Sequence, residues 1–262
     1  MGIVEAIKNG FGKASKLVNV ILVFFVFNTV IGLISLPLSN PDRAGSPAVM
    51  IISIISSVVF FLIFVFLQGG AMGLVKDQIK KSSASLADFT DYGRKFYVRI
   101  LGLLALYILI AIGIVLVLSL LSAGILLLGD NLVTRSIVAT IVTVAAIVII
   151  TMMVYPIYAI VVDDVSTIDA FKKGILSAKT HFRNTLGLFL SLFVISVFIS
   201  LVVGFILGMI MVPLNANLGQ VIIAIVNALV QSYLPVVMMV SFMSFYMSLD
   251  KNVNIQSAGE GA

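Results

Sequence analysis

The sequence predicts an all-α membrane protein: six transmembrane helices in three helical hairpins, each preceded by a cytoplasmic amphipathic interfacial helix. Three observations predict it. Hydrophobic residues make up 61% of the 262-residue chain and charged residues only 10%, where a soluble domain carries about a quarter. Six apolar stretches, at about 17–38, 48–75, 100–128, 133–162, 186–212 and 221–249, hold a single charged residue, Arg135. Each reaches the roughly 20 residues needed to cross the hydrocarbon core. Fourteen of the sixteen Lys and Arg residues fall in four segments that alternate with these stretches. Short loops rich in Lys and Arg stay cytoplasmic. Both termini are therefore expected on that side of the cell membrane, with Arg43 and Arg135 in the opposite loops.

The elements recur in order. The first repeat unit, about residues 2–78, opens on Glu5, and Gly10 follows five residues later. The second, about 83–164, has Asp88 and Gly93 at the same spacing; the third, about 165–250, has Asp169 and Gly174. Apolar side chains surround these residues at steps of three and four, as in Ile3, Ile7, Phe11 and Ala14, or Ile168, Phe171, Ile175 and Ala178. In the second unit Leu86, Phe89, Phe96 and Ile100 follow the pattern, with Gly93 as the missing step. That spacing makes one apolar helix face with basic residues opposite. It suits a helix lying among headgroups, or one packed on the span ends. Ser85 with Asp88, and Ser166 with Asp169, match the capping box, in which hydroxyl and carboxylate each satisfy a free N–H. Helix capping thus accounts for both acids without catalysis. The third copy is longer by about one helical turn. The chain reads as one membrane domain, 1–250, with a disordered tail, 251–262.

Inside the spans the signals are Gly, Pro and small polar residues. Pro156 and Pro235 are expected helix breaks, each several residues before an acid. Ser196, Ser200, Gly204 and Gly208 recur every fourth residue, and Gly69 and Gly73 repeat the idea in the second span. Such small-residue ridges let another helix approach closely. An approach within the chain is favoured over one between subunits. Asn28, Asn227 and Gln231 are polar at depth. They are read first as interhelical glue, and second as a polar path.

At this point the chain resembles a broad family of six-span membrane proteins. The resemblance is carried by Gly69 and Gly70, residues 85–93, Pro156 with Asp163, and residues 169–174, and spans roughly 60–200. The best-named member is the membrane domain attached to some glycerophosphodiester phosphodiesterases, which has uncharacterised stand-alone relatives. It implies a membrane module that works near lipids. In that family the phosphodiesterase chemistry belongs to a separate soluble domain, so that activity is not expected here.

Known membrane chemistries lack their residues. There is no Cys and a single His, His181, which builds neither a triad nor a metal site alone. The zinc peptidase pattern His-Glu-x-x-His is absent. Asp163, Asp164 and Asp169 could be imagined around Mg²⁺ at a lipid phosphate. Adjacent residues on a helix point apart, however, which favours a hydrated helix terminus. Coupled transport usually places charged groups deep inside the bundle, and the interiors of these spans carry none. The net charge of +5 reflects topology rather than nucleic-acid binding. The expected function is a non-enzymatic membrane-organising, lipid-interacting or assembly module without cofactor or metal. Its expected partners are membrane lipids, anionic headgroups at the cytoplasmic face, and a second copy or another membrane protein. A small permease or channel, and an accessory subunit of a membrane enzyme, are the alternatives.

Overall fold

The computed structural model describes residues 1–38, 46–127, 129–211 and 216–259. Among these residues the regular elements are all helical. They are α1 (Ile3–Ala14), α2 (Val18–Leu38), α3 (Pro47–Lys81), α4 (Phe89–Leu126), α5 (Leu132–Met152), α6 (Pro156–Val162), α7 (Thr167–Thr180), α8 (Phe182–Met211) and α9 (Ala216–Gly259), with a 3₁₀ turn at Leu86–Asp88. The spans are rich in Val and Ile, yet they are helical. Backbone polar groups in hydrocarbon must be satisfied within the segment, and a helix does this. Six segments are long and apolar enough to cross a membrane: Val18–Ser35, Pro47–Lys81, Leu86–Leu126, Leu132–Val162, Phe182–Met209 and Gly219–Leu249.

The chain falls into two compact units, one of Met1–Tyr97 with Gly187–Ala262 and the other of Val98–Leu186. In the first, α1 and α2 both pack on α9, and α3 touches α2, α9 and the 3₁₀ turn. Ala6, Gly10 and Ala14 form the buried stripe of α1. A Cβ on Gly10 would run into Ser241 Oγ and stand 3.0 Å from the Val237 carbonyl. Ile3 lies over Gly187 of α8, its Cδ1 2.7 Å from where a Cβ would be. Phe11 meets Tyr233 at 6.2 Å between ring centroids. Further along α2, Phe24 meets Phe64 and Phe27 meets Phe60, each pair at 6.3 Å. At the far end of α3, Gly70 leaves room for Phe89, Gly73 for Tyr92, and Gly93 takes the Phe66 ring.

The second unit repeats this arrangement. Here α7 packs on α6 and α5. Gly174 lies directly on Pro156, whose Cα would be 2.5 Å from an added Cβ. Thr167 covers Gly102 of α4 and donates from Oγ1 to the Arg99 carbonyl at 3.1 Å. Tyr107 donates its hydroxyl to the Met153 carbonyl at 2.7 Å, at the gap between α5 and α6. Thr185 donates to the Tyr155 hydroxyl at 3.0 Å.

One contact is therefore made three times. The first helical stretch of each copy packs on the second span of the copy before it, and α1 closes the series by packing on α9. Each of the repeat glycines Gly10, Gly93 and Gly174 sits at such a contact. Small residues there let two backbones approach and gain dispersion contacts. The residue two before the acid is also equivalent: Ile3 covers Gly187 of α8 as Thr167 covers Gly102 of α4.

Three expectations differ from the structure. The second copy has no separate interfacial helix. Its residues run from the 3₁₀ turn straight into α4, because Phe89, Gly93, Phe96, Ile100 and Leu103 form one continuous buried stripe. Pro235 does not break α9, which passes through it. Membrane helices tolerate such a proline when neighbouring groups re-satisfy the freed carbonyl. At the Gly204 and Gly208 end of the Ser196, Ser200, Gly204 and Gly208 ridge, nothing described lies within 4 Å of an added Cβ. Of the expected tail, α9 continues to Gly259, and residues 260–262 lie outside the described part.

Candidate functional site

A cavity of the first unit lies between α2, α3 and α9. It measures about 600 Å³ and is lined by Phe27, Asn28, Ser53, Ser57, Phe60 and Gln231, among others. Each helix contributes for a local reason. Ser56 and Ser57 each sit one turn beyond Ser53 on α3, so one face of an apolar helix is hydroxylated. Ser57 satisfies its own donor on the Ser53 carbonyl at 2.7 Å, which leaves its oxygen able to accept. Asn28 donates to Ser232 Oγ at 3.2 Å, and the Ser232 hydroxyl in turn donates to the Ala228 carbonyl. Asn28, a lining residue, is thereby held in place. Among the described residues no hydrogen bond engages the Gln231 amide. Phe27, Phe60 and Phe64 supply an aromatic wall. Toward the basic ends of the same helices the packing closes on Val20, Phe24, Val236 and Val240, all buried. A groove of this size, mostly apolar with a few fixed polar groups, has the anatomy of a small-molecule site.

The structure thus joins Asn28 and Gln231 and leaves out Asn227, which is exposed on α9 and does not line the cavity. The serines of α3 were missed in the sequence reading. Their signal is the spacing Ser53, Ser56, Ser57 inside an otherwise apolar run. Of the packing residues, Gly73 meets the Tyr92 ring and Gly69 is buried. Pro156 is the first residue of α6 and stands at a real gap in the span.

The caps take their own geometry. Ser166 Oγ accepts from the Asp169 N–H at 3.3 Å and donates to Asp169 Oδ2 at 2.6 Å. Ser85 Oγ accepts from Ala87 N instead, and the Asp88 N–H goes to the Ser85 carbonyl, which opens the 3₁₀ turn. A complete capping box occurs at Asn131 and Thr134, at the start of α5. Beside it Arg135 holds Asp130 through two hydrogen bonds, of 2.6 and 2.8 Å, and lowers its carboxyl below the usual range.

The acids near α6 are each separately engaged. Asp163 pairs with Lys173 at 2.9 Å, Asp164 with Arg99 at 2.7 Å, and Asp169 with Ser166. Among the described residues no group of three His, Cys, Asp or Glu could hold a metal ion. His181 caps the end of α7 through its backbone N–H. In the second unit, α4 and α5 enclose an apolar cleft of about 300 Å³ that includes Gly113 and Ala145.

Six apolar helices and an uncharged groove within them define a multi-pass helical membrane protein. The chain belongs to the DUF7847 family, described as a domain of unknown function, which matches residues 1–249. No curated protein and no solved structure matches it.

Proposed function

We propose that the chain is a non-enzymatic, lipid-binding membrane module built from three helical hairpins, each entered through a short interfacial stretch. The observation that carries this reading is the groove between α2, α3 and α9. Its aromatic wall suits an acyl chain, and Asn28, Gln231 and the α3 serines suit the ester and hydroxyl groups of an amphiphile. The buried Val20, Phe24, Val236 and Val240 beyond it favour a blind groove over a through-path. The expected likeness to the phosphodiesterase-attached membrane domain fits such a lipid-adjacent role. Ser57→Phe, which fills the groove, is expected to remove co-purifying phospholipid seen by native mass spectrometry. Wild-type protein in liposomes is expected to pass no more solute than empty vesicles. A solute flux that Gln231→Leu or Asn28→Leu abolishes would establish the permease reading instead.

In this reading the basic segments face the cytoplasm with both termini, where anionic lipids attract them. The chain has no Cys, so single replacements report cleanly. An impermeant maleimide added to intact cells is expected to label Asn131→Cys and to spare Ser83→Cys. The reverse pattern would invert the topology.

A further inference from the structure

A second cavity, of about 370 Å³, lies at the basic end of the first unit, between α1, α3 and α9. Asn9 and Lys13 line it from α1, Ile79 and Lys80 from α3, and Ser244 and Ser248 from α9. Three features set it apart from the groove.

The first is charge. Among the described residues neither Lys13 nor Lys80 makes an ion pair. Burial, and then the neighbouring Lys16, hold the Lys13 ammonium below its ordinary pKa. A partly desolvated cation beside a like charge gains most from an anion. Asp250, two residues past Ser248, has a side chain outside the described part.

The second is an orphaned hydroxyl. Ser244 is 7% exposed, and its Oγ is buried without a hydrogen-bond partner. Buried polar atoms are rarely left so. Thr29 Oγ1 and Gln68 Oε1 are also unpartnered, but only Ser244 among the three lines this cavity.

The third is the comparison among copies. Four residues after the acid, the second copy has Tyr92 and the third has Lys173. Tyr92 donates to Asp77 at 2.7 Å, and Lys173 pairs with Asp163 at 2.9 Å. Both fill the junction with the preceding copy. The first copy has Asn9 there, and among the described residues its amide donates to the Met1 sulfur at 3.4 Å. Among the described residues the junction of α1 with α9 thus holds a cavity lined by two lysines and no acid.

From these observations we infer that this cavity binds a phosphate group, with Lys13 and Lys80 neutralising the anion and Ser244 donating a hydrogen bond to one of its oxygens. Such charge-assisted hydrogen bonds are the strong ones. The phosphate can belong to a lipid headgroup or be free in solution. The inference does not depend on the outer groove.

The test uses the full chain in nanodiscs of phosphatidylcholine containing phosphatidylglycerol, with retained lipid read by native mass spectrometry. The double variant Lys13→Gln/Lys80→Gln is expected to lower retained phosphatidylglycerol about tenfold, and Ser244→Ala several-fold. Lys8→Gln/Lys16→Gln removes the same charge from the same stretch outside the cavity, and is expected to change retention less than twofold. Calorimetry with inorganic phosphate assigns the source. Phosphate binding that needs Lys13 and Lys80 supports a site for free anion, and lipid retention without phosphate binding supports a headgroup site. Equal losses in both double variants would reduce the effect to general surface charge and overturn the site, as would no loss in either. Ser57→Phe, which fills the groove, is expected to lower retained phosphatidylcholine, while the loss of phosphatidylglycerol on Lys13→Gln/Lys80→Gln persists in its background, so either reading can fail alone.

Discussion

Gly174→Val is expected to destabilise the folded protein by about 3 kcal/mol or more, at or beyond the top of the range for overpacking. The obstacle to the new side chain is backbone. A Cβ there meets the nitrogen, Cα and Cδ of Pro156, with Cα and Cδ each at 2.5 Å. Proline has no rotamer that withdraws these atoms, and its φ is fixed. Relief requires α7 to lift from α6, which also strains the Lys173–Asp163 pair and the cover of Thr167 over Gly102. Gly10→Ala tests the equivalent junction with a softer obstacle. Its Cβ meets the Ser241 hydroxyl first, and Ser241→Ala removes that oxygen while leaving the Val237 carbonyl at 3.0 Å. The pair Gly10→Ala/Ser241→Ala is therefore expected to recover part of the loss, and no second-site change of this kind exists for Gly174. Gly204→Val is the control, because nothing described lies within 4 Å of it. Its effect is expected within about 0.5 kcal/mol. Thermal unfolding in detergent, followed by size-exclusion profile, ranks the set. Equal melting of Gly174→Val and Gly204→Val would mean that the α6–α7 contact is not closed in solution.

The readability of this fold divides along physical lines. Six helices were legible because apolar length in a charge-poor chain has one solution in lipid. Gly10, Gly93 and Gly174 were legible because the same residue recurs at the same distance from an acid, and close approach needs it. The partner of each glycine was not legible, since Val237, Phe66 and Pro156 sit at different distances from the acids that end their spans. Pro156 and Pro235 look alike in sequence and act differently. The gap before Pro156 is held open by the Tyr107 hydroxyl on Met153 and by Gly174 against the ring, both from distant parts of the chain. The groove was half legible. Asn28 and Gln231 stood out as polar residues at depth, but Ser53 and Ser57 gain their meaning only where α2, α3 and α9 come together. The lysine cavity depends even more on assembly. Among the described residues Asn9 engages no acid where Tyr92 and Lys173 each do, and that contrast appears only when the junctions are compared.

Tyr92→Phe is expected to cost about 1.5–3 kcal/mol, the range for losing a hydrogen bond to a charged group. The Asp77 side chain is only 8% exposed. It accepts the Tyr92 hydroxyl at 2.7 Å and the Lys81 ammonium at 3.0 Å. Lys81 is 64% exposed, so water competes for it, and an exposed i,i+4 ion pair contributes only about 0.3–0.5 kcal/mol. The hydroxyl is the better-protected partner. Gly73 makes this possible, because any side chain there would occupy the Tyr92 ring. Removing the hydroxyl alone leaves a buried carboxylate facing an apolar ring edge. Removing both partners together leaves no such charge, and such double replacements can be nearly neutral. The expected order of stability is therefore wild type, then Asp77→Leu/Tyr92→Phe, then Tyr92→Phe. Asp77→Asn keeps an acceptor for the hydroxyl and is expected to lose less than half as much as Tyr92→Phe. If Tyr92→Phe unfolds together with wild type, the bond carries no stability. The junction between the first two copies would then rest on Gly70, Gly73 and Gly93 packing alone.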